Sequence, residues 1–201
     1  MPVDYLKESP SQTAGPYVHI GAMPAYAGLN LRTQEKLNVL TGPSVEGERI
    51  RIEGVIYDGA KALVRDAVIE SWQADHRGLH NQSGFFGWGR AACDPSSGLW
   101  FIETIKPGAF AARNGVMQAP FITLAIFARG INIHLHTRLY FEDEAAANAS
   151  DPVLGMVDPA HRPTLIAKKD KCGSETVYRL DIVLQGDNCL LYTSDAADDT
   201  P

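Results

Sequence analysis

The sequence predicts a mainly β protein: an antiparallel β-sandwich with an extended N-terminal arm and two or three short helices. Three observations carry this prediction. Over residues 131–141 the chain alternates without a break, with Ile131, Ile133, Leu135, Thr137, Leu139 and Phe141 on one side and Asn132, His134, His136, Arg138 and Tyr140 on the other. Period two over that length marks a half-buried strand whose odd positions face a core. About six short apolar segments recur along the chain with turn residues between them, which suits a sandwich better than βαβ units. Residues 1–28 carry Pro2, Pro10, Pro16 and Pro24 among Gly15, Gly21 and Gly28. Proline disfavours helix interiors and ladders alike, so this segment reads as an arm.

The elements follow in order. Residues 30–40 read as a short helix, capped by Asn30 and ended before Gly42-Pro43. Residues 49–57 alternate as a strand, and Asp58-Gly59 turns it. Residues 63–73 form the next strand. Residues 75–89 form a loop whose Phe85, Phe86 and Trp88 cover the core. Residues 99–105 form a strand that turns at Lys106-Pro-Gly108. Residues 119–129 are apolar on both faces, as a central strand should be, and Arg129 closes that run at the core's rim, before Gly130. Residues 142–149 read as a helix stopped by Asp151-Pro152, and residues 176–185 as the last clear strand. With no internal repeat and no linker, residues 1–188 read as one domain.

Composition bounds the function. The chain has 201 residues, 45% of them hydrophobic, and a net charge of −6. That is ample for one core. It argues against nucleic acid and anionic membrane, which reward clustered Lys and Arg. It leaves room for a small anionic substrate, which needs only one local cation. No apolar run is long enough to cross a membrane, and the N-terminus lacks a secretory core, so the expected location is the cytoplasm. Cys93, Cys172 and Cys189 are odd in number and widely spaced, which suits free thiols.

Two constellations could carry chemistry. His134 and His136 are i and i+2 on one strand, on the same face as Tyr140 and about 7 Å apart at Cα, within reach of one metal ion. The same pattern also describes the polar outer face of a sheet. Arg129 is either a surface charge or a clamp for an anion, a task that suits the planar guanidinium fork.

Gly54-Val-Ile-Tyr-Asp-Gly59, followed by Val64-Arg-Asp-Ala-Val-Ile-Glu-Ser-Trp-Gln-Ala-Asp75 and Thr104-Ile-Lys-Pro-Gly108, resembles the signature region of the intradiol ring-cleavage dioxygenases. The arm Thr13-Ala-Gly-Pro-Tyr17 and residues 127–144 resemble, more narrowly, the alpha-type subunits of members that act on protocatechuate. The resemblance runs from about Pro10 to Gly186. It implies a β-sandwich and a ferric ion held by two tyrosines and two histidines. In the catalytic, beta-type subunits the histidines lie in a P-A-H-I-H-F run. Here the matching run is Ala119-Pro-Phe-Ile-Thr-Leu124, with Phe121 and Thr123 at the histidine positions, and Phe110 stands where a tyrosine is expected.

The resemblance thus implies a subunit of an enzyme that itself holds no metal and contributes no catalytic residue. Fe(III) is expected in a beta-type partner within a hetero-oligomer. Protocatechuate and O₂ are the expected substrates, and cleavage between the hydroxyl-bearing carbons gives 3-carboxy-cis,cis-muconate. Thr13, Gly15, Pro16 and Tyr17 would line the partner's pocket, and Arg129 would meet the substrate carboxylate. Two alternatives stand beside this: a solitary non-catalytic binding module, and a self-sufficient metalloenzyme built on His134, His136 and Tyr140. Beyond Asn188 the family-like pattern stops. Residues 189–201 resemble the translation of a sequencing adapter and are expected to be non-native.

Overall fold

The structure is a computed structural model that describes residues 15, 17–29, 36–112, 115–172, 175–186 and 188–190. Among the described residues, twelve strands and three short α-helices follow one another. They are α1 (Tyr17–Ala22), β1 (Arg49–Gly54), β2 (Ile56–Tyr57), β3 (Val68–Trp72), β4 (Trp88–Ala92), β5 (Trp100–Ile105), β6 (Phe110–Ala111) and β7 (Met117–Gln118). Then come β8 (Phe121–Phe127), β9 (Leu135–Phe141), α2 (Ala145–Ser150), α3 (Pro152–Met156), β10 (Ile166–Cys172), β11 (Glu175–Arg179) and β12 (Ile182–Val183).

Eight strands run in the order β4-β3-β8-β9-β10-β11-β1-β5. The sheet turns at β10. Ile166 and Ala167 pair with Tyr140 and Phe141 of β9, while Lys168 to Cys172 pair with β11. Each half turns one face inward. Ile122, Leu124, Ile126 and Leu139 from one side meet Ile50, Ile52, Trp100, Ile102 and Tyr178 from the other in a single core cluster. The sandwich expected from the sequence is present. Its ladders are not all antiparallel, because β1–β11, β9–β10 and β2–β12 pair in parallel.

The quoted motifs meet in space. Gln73 donates to the Ile105 carbonyl at 2.8 Å and accepts from the Thr104 hydroxyl at 2.8 Å. Gly108 N–H donates to the Asp75 carbonyl at 2.9 Å. Gly54 is required where the chain leaves β1, since a Cβ there would lie 1.9 Å from the Leu180 carbonyl oxygen.

Several expectations change. The described part of the arm is not wholly extended, because α1 occupies Tyr17–Ala22. Proline at residue 16 is compatible with this, since proline is tolerated at a helix start. Of the helix expected over residues 30–40, residues 30–35 lie outside the described residues. Residues 36–40 form a turn and a bridge from Val39 to Glu103. The strand expected over residues 131–141 begins only at Leu135. Gly130, at φ +80°, opens a turn that leaves Ile133 exposed. Phe85 is buried and covers the core as expected, whereas Phe86 is 66% exposed. Cys93 is buried, and burial pushes its thiol up to about 12. Cys93 and Cys189 are free. Leu190 is buried, and its N–H donates to the Val183 carbonyl; residues 191–201 lie outside the described residues.

Candidate functional site

The three positions that the resemblance marks for metal ligands come together. Antiparallel pairing of β8 with β9 sets Phe121 opposite Tyr140, Thr123 opposite Arg138, and Ala125 opposite His136, all on the outer face of that half-sheet. Phe110, on β6, reaches the same place, with ring centroids 5.4 Å from Phe121. A run of rings passes through the site, from Trp72 to His80 (6.0 Å), Phe110 (5.1 Å), Phe121 and Tyr140 (5.8 Å). Two phenylalanines and a neutral threonine hydroxyl do not make a ligand set for Fe(III). Among the described residues no cluster of three His, Cys, Asp or Glu side chains could hold a metal ion. The side chains at these three positions therefore do not fit the family's iron.

A guanidinium stands at this place. Arg138 lies over the Phe121 ring, its Cζ 4.0 Å from the centroid. Its Nη1 donates to Gln118 Oε1 at 3.1 Å and to the Tyr140 hydroxyl at 3.3 Å. That hydroxyl in turn donates to Asp151 at 3.2 Å. Burial pushes the Tyr140 phenol up to about 12, against the opposing pull of Arg138, so it stays neutral at any working pH. Beneath lies a cavity of about 310 Å³, lined by Thr123, Arg138 and Tyr140 together with the apolar Leu154, Val157 and Leu165.

The His134, His136 and Tyr140 set expected by one alternative does not assemble. The two imidazoles adjoin, with centroids 4.5 Å apart, and His134 stacks on Phe127 at 5.2 Å. Both histidines are exposed. Tyr140 is fully buried with its proton committed to Asp151, and Arg138 lies between it and His136 along the strand. A fixed cation at that position opposes a second one.

Arg129 is placed at the rim, as expected, 73% exposed, with its Nε 2.5 Å from Asp66 Oδ2. A second cavity, of about 510 Å³, opens there, bordered by Asp66, Arg129, Asn132 and Gln185. Of the arm residues, Thr13 and Pro16 lie outside the described residues. Tyr17 opens α1. The Gly15 carbonyl accepts from Val18 N–H at 3.0 Å, and a Cβ on Gly15 would meet nothing within 4 Å. No described residue of this chain therefore closely approaches the place a Cβ would take on Gly15.

The described arm is anchored on β4. Arg90 Nη1 donates to the Ala22 carbonyl at 2.8 Å while its Nε holds Glu70 at 2.8 Å, and Tyr26 donates to the Cys93 carbonyl at 2.7 Å. The ladder register brings Cys93, Asp66 and Arg129 to the same end of the sheet. Sequence reasoning missed Arg90, Gln118, Arg138 and Asp151. The alternation puts Arg138 on the polar face of its strand, and only the cross-strand register shows what it meets there.

The two-layer sheet defines a β-sandwich protein, and comparison with known proteins gives its family. The sequence pattern of the dioxygenase family matches residues 22–186, and the chain belongs to that intradiol ring-cleavage family. It is 49% identical to the protocatechuate 3,4-dioxygenase alpha chain of Pseudomonas putida, over 93% of this chain and 96% of that one. It is 30% identical to the protocatechuate 3,4-dioxygenase beta chain of Burkholderia cepacia, over 70% and 66% respectively. A solved structure, the dioxygenase domain of a carbohydrate-binding fusion protein from Streptomyces sp. SirexAA-E, superposes with a TM-score of 0.60 at 25% identity. That match covers 74% of this chain and 86% of the other.

Proposed function

We propose that this chain is the non-iron-binding alpha subunit of a protocatechuate 3,4-dioxygenase. It completes the active site of a ferric beta subunit, which cleaves protocatechuate with O₂ to 3-carboxy-cis,cis-muconate. The observation that carries the reading is the replacement of metal-ligating side chains by Phe110, Phe121 and Thr123 at positions that converge in space. Such a subunit supplies shape and charge. Thr13, Gly15, Pro16 and Tyr17 wall the partner's pocket and exclude water from it. Arg129 meets the carboxylate that distinguishes protocatechuate from catechol. Fe(III) belongs to the partner, and the complex works in the cytoplasm. Among the described residues no helix is long and apolar enough to cross a membrane.

The test is reconstitution. The chain alone is expected to bind no stoichiometric iron and to cleave no catechol, and to restore full oxygen uptake with protocatechuate when mixed with an iron-loaded beta chain. About one equivalent of iron in the lone chain, lost on His134→Ala, would overturn the reading.

A further inference from the structure

We infer that the cavity under β8 and β9 is a metal-free binding site for a small organic monocarboxylate, with Arg138 supplying the positive charge. The inference starts from the mismatch between the family's iron and this chain's residues. Arg138 is half-buried and held in place by stacking on Phe121 and by bonds to Gln118 and Tyr140. Both acceptors are neutral oxygens, and among the described residues no carboxylate pairs directly with the guanidinium. Asp151 stands on the far side of the Tyr140 hydroxyl. It accepts from the Ala119, Val153 and Leu154 N–H groups and from the Tyr140 hydroxyl. A half-buried guanidinium with no direct carboxylate partner keeps donors for an anion, and Asp151, one hydroxyl away, offsets its charge only at a distance.

The remaining walls select the kind of anion. Thr123, directly across the ladder from Arg138, offers a hydroxyl donor beside the guanidinium. Leu154, Val157 and Leu165 form an apolar wall that gives inorganic phosphate nothing but suits a ring or a short hydrocarbon body. At about 310 Å³ the cavity is at the lower end of the range for small-molecule pockets. A guanidinium fork fits a carboxylate in two-point contact. The site is distinct from the Arg129 rim, which opens into the other cavity.

The experiment uses the full chain in the presence of excess chelator, with 4-fluorobenzoate and its neutral analogue 4-fluorobenzamide as fluorine NMR probes. The wild-type chain should bind the benzoate at least about tenfold more tightly than the benzamide, as a charge-assisted contact requires. Arg138→Met should bring benzoate binding down to the benzamide level. Val157→Trp, which fills the cavity and leaves Arg138 in place, should abolish binding of both, with folding checked by circular dichroism. Equal affinity for the two probes, no binding by the wild-type chain, or benzoate binding that survives Val157→Trp would each overturn the proposal. The Val157 variant decides the matter if Arg138→Met does not fold.

Discussion

A guanidinium held by one carboxylate at an exposed rim is easily recruited. The Arg129–Asp66 pair is of this kind, and surface pairs of that exposure contribute about 0–1 kcal/mol. A substrate carboxylate in a drier pocket competes well against it, because charge-assisted hydrogen bonds there are worth about 1–3 kcal/mol. In the reconstituted complex, Arg129→Ala should weaken apparent protocatechuate binding by about that amount and leave catechol nearly unchanged. Equal losses for both substrates would make Arg129 an interface residue instead. Asp66→Asn should act in the opposite direction, tightening protocatechuate binding by less than about 1 kcal/mol as it frees the guanidinium. Steady-state oxygen uptake against each substrate measures both effects. Tyr26 feels the same carboxylate: burial raises its phenol's pKa, and the charges of Asp94 and Asp66 add to that.

At the level of elements, Asp151 is where three pieces of chain meet. It caps α3 through the Val153 and Leu154 N–H groups, holds the Ala119 N–H that leads into β8, and receives the Tyr140 proton from β9. It is only 2% exposed. Removing it costs the cap, about 1 kcal/mol, and orphans two buried donors at about 1–3 kcal/mol each. Asp151→Ala should lower unfolding stability by about 3–7 kcal/mol in urea titration. A loss below about 1 kcal/mol, that of an ordinary exposed cap, would show that the network carries no stability. The same residue explains what the sequence conceals. Asp151-Pro152 reads as the stop of one helix, yet aspartate followed by proline is equally the start of another, and α3 begins there. Strand β8 was legible from its continuous apolar run and β9 from its alternation. Strand β10, I-A-K-K-D-K-C, was not, because its charged residues hide a strand placed by its neighbours on both sides. The site was legible only in part. Phe110, Phe121 and Thr123 could be named from a resemblance, and Arg129 from its place at a strand end. Arg138 needed the register that sets it against Thr123, a long-range fact with no local signature.

For the whole molecule, the question is what keeps the two halves of the sheet closed where they turn at β10. Asp143, just after β9, sits at that corner. Its Oδ2 accepts from Lys169 of β10 at 2.6 Å, from Tyr178 of β11 at 2.8 Å, and from Lys106, just past β5, at 3.0 Å. Lys106 also approaches the faces of Phe141 and Tyr178, at 5.5 and 5.7 Å. One carboxylate thus gathers strands from both halves. Burial pushes the Asp143 carboxyl upward, but hydrogen bonds from Lys169, Tyr178 and Lys106 outweigh it and hold the group at about 2, below the usual 3.8. A depressed carboxylate stabilises the fold fully above its unfolded value, and that contribution is lost as pH falls through the folded one. The window here is therefore from about pH 4 down to about pH 2. Asp143→Asn keeps the shape, removes the charge, and should cost about 1–3 kcal/mol at pH 7. The gap between wild-type and variant melting temperatures should narrow across that window, because protonation makes the wild type resemble the variant. Glu142 is also held below its ordinary value, by Lys168 and the Lys169 N–H; it titrates in both proteins, and only the upward push of the Asp143 charge on it differs between them. A gap that stays constant from pH 7 to pH 2 would mean that Asp143 acts by packing alone, and that the corner is held by the β9–β10–β11 ladder without its help.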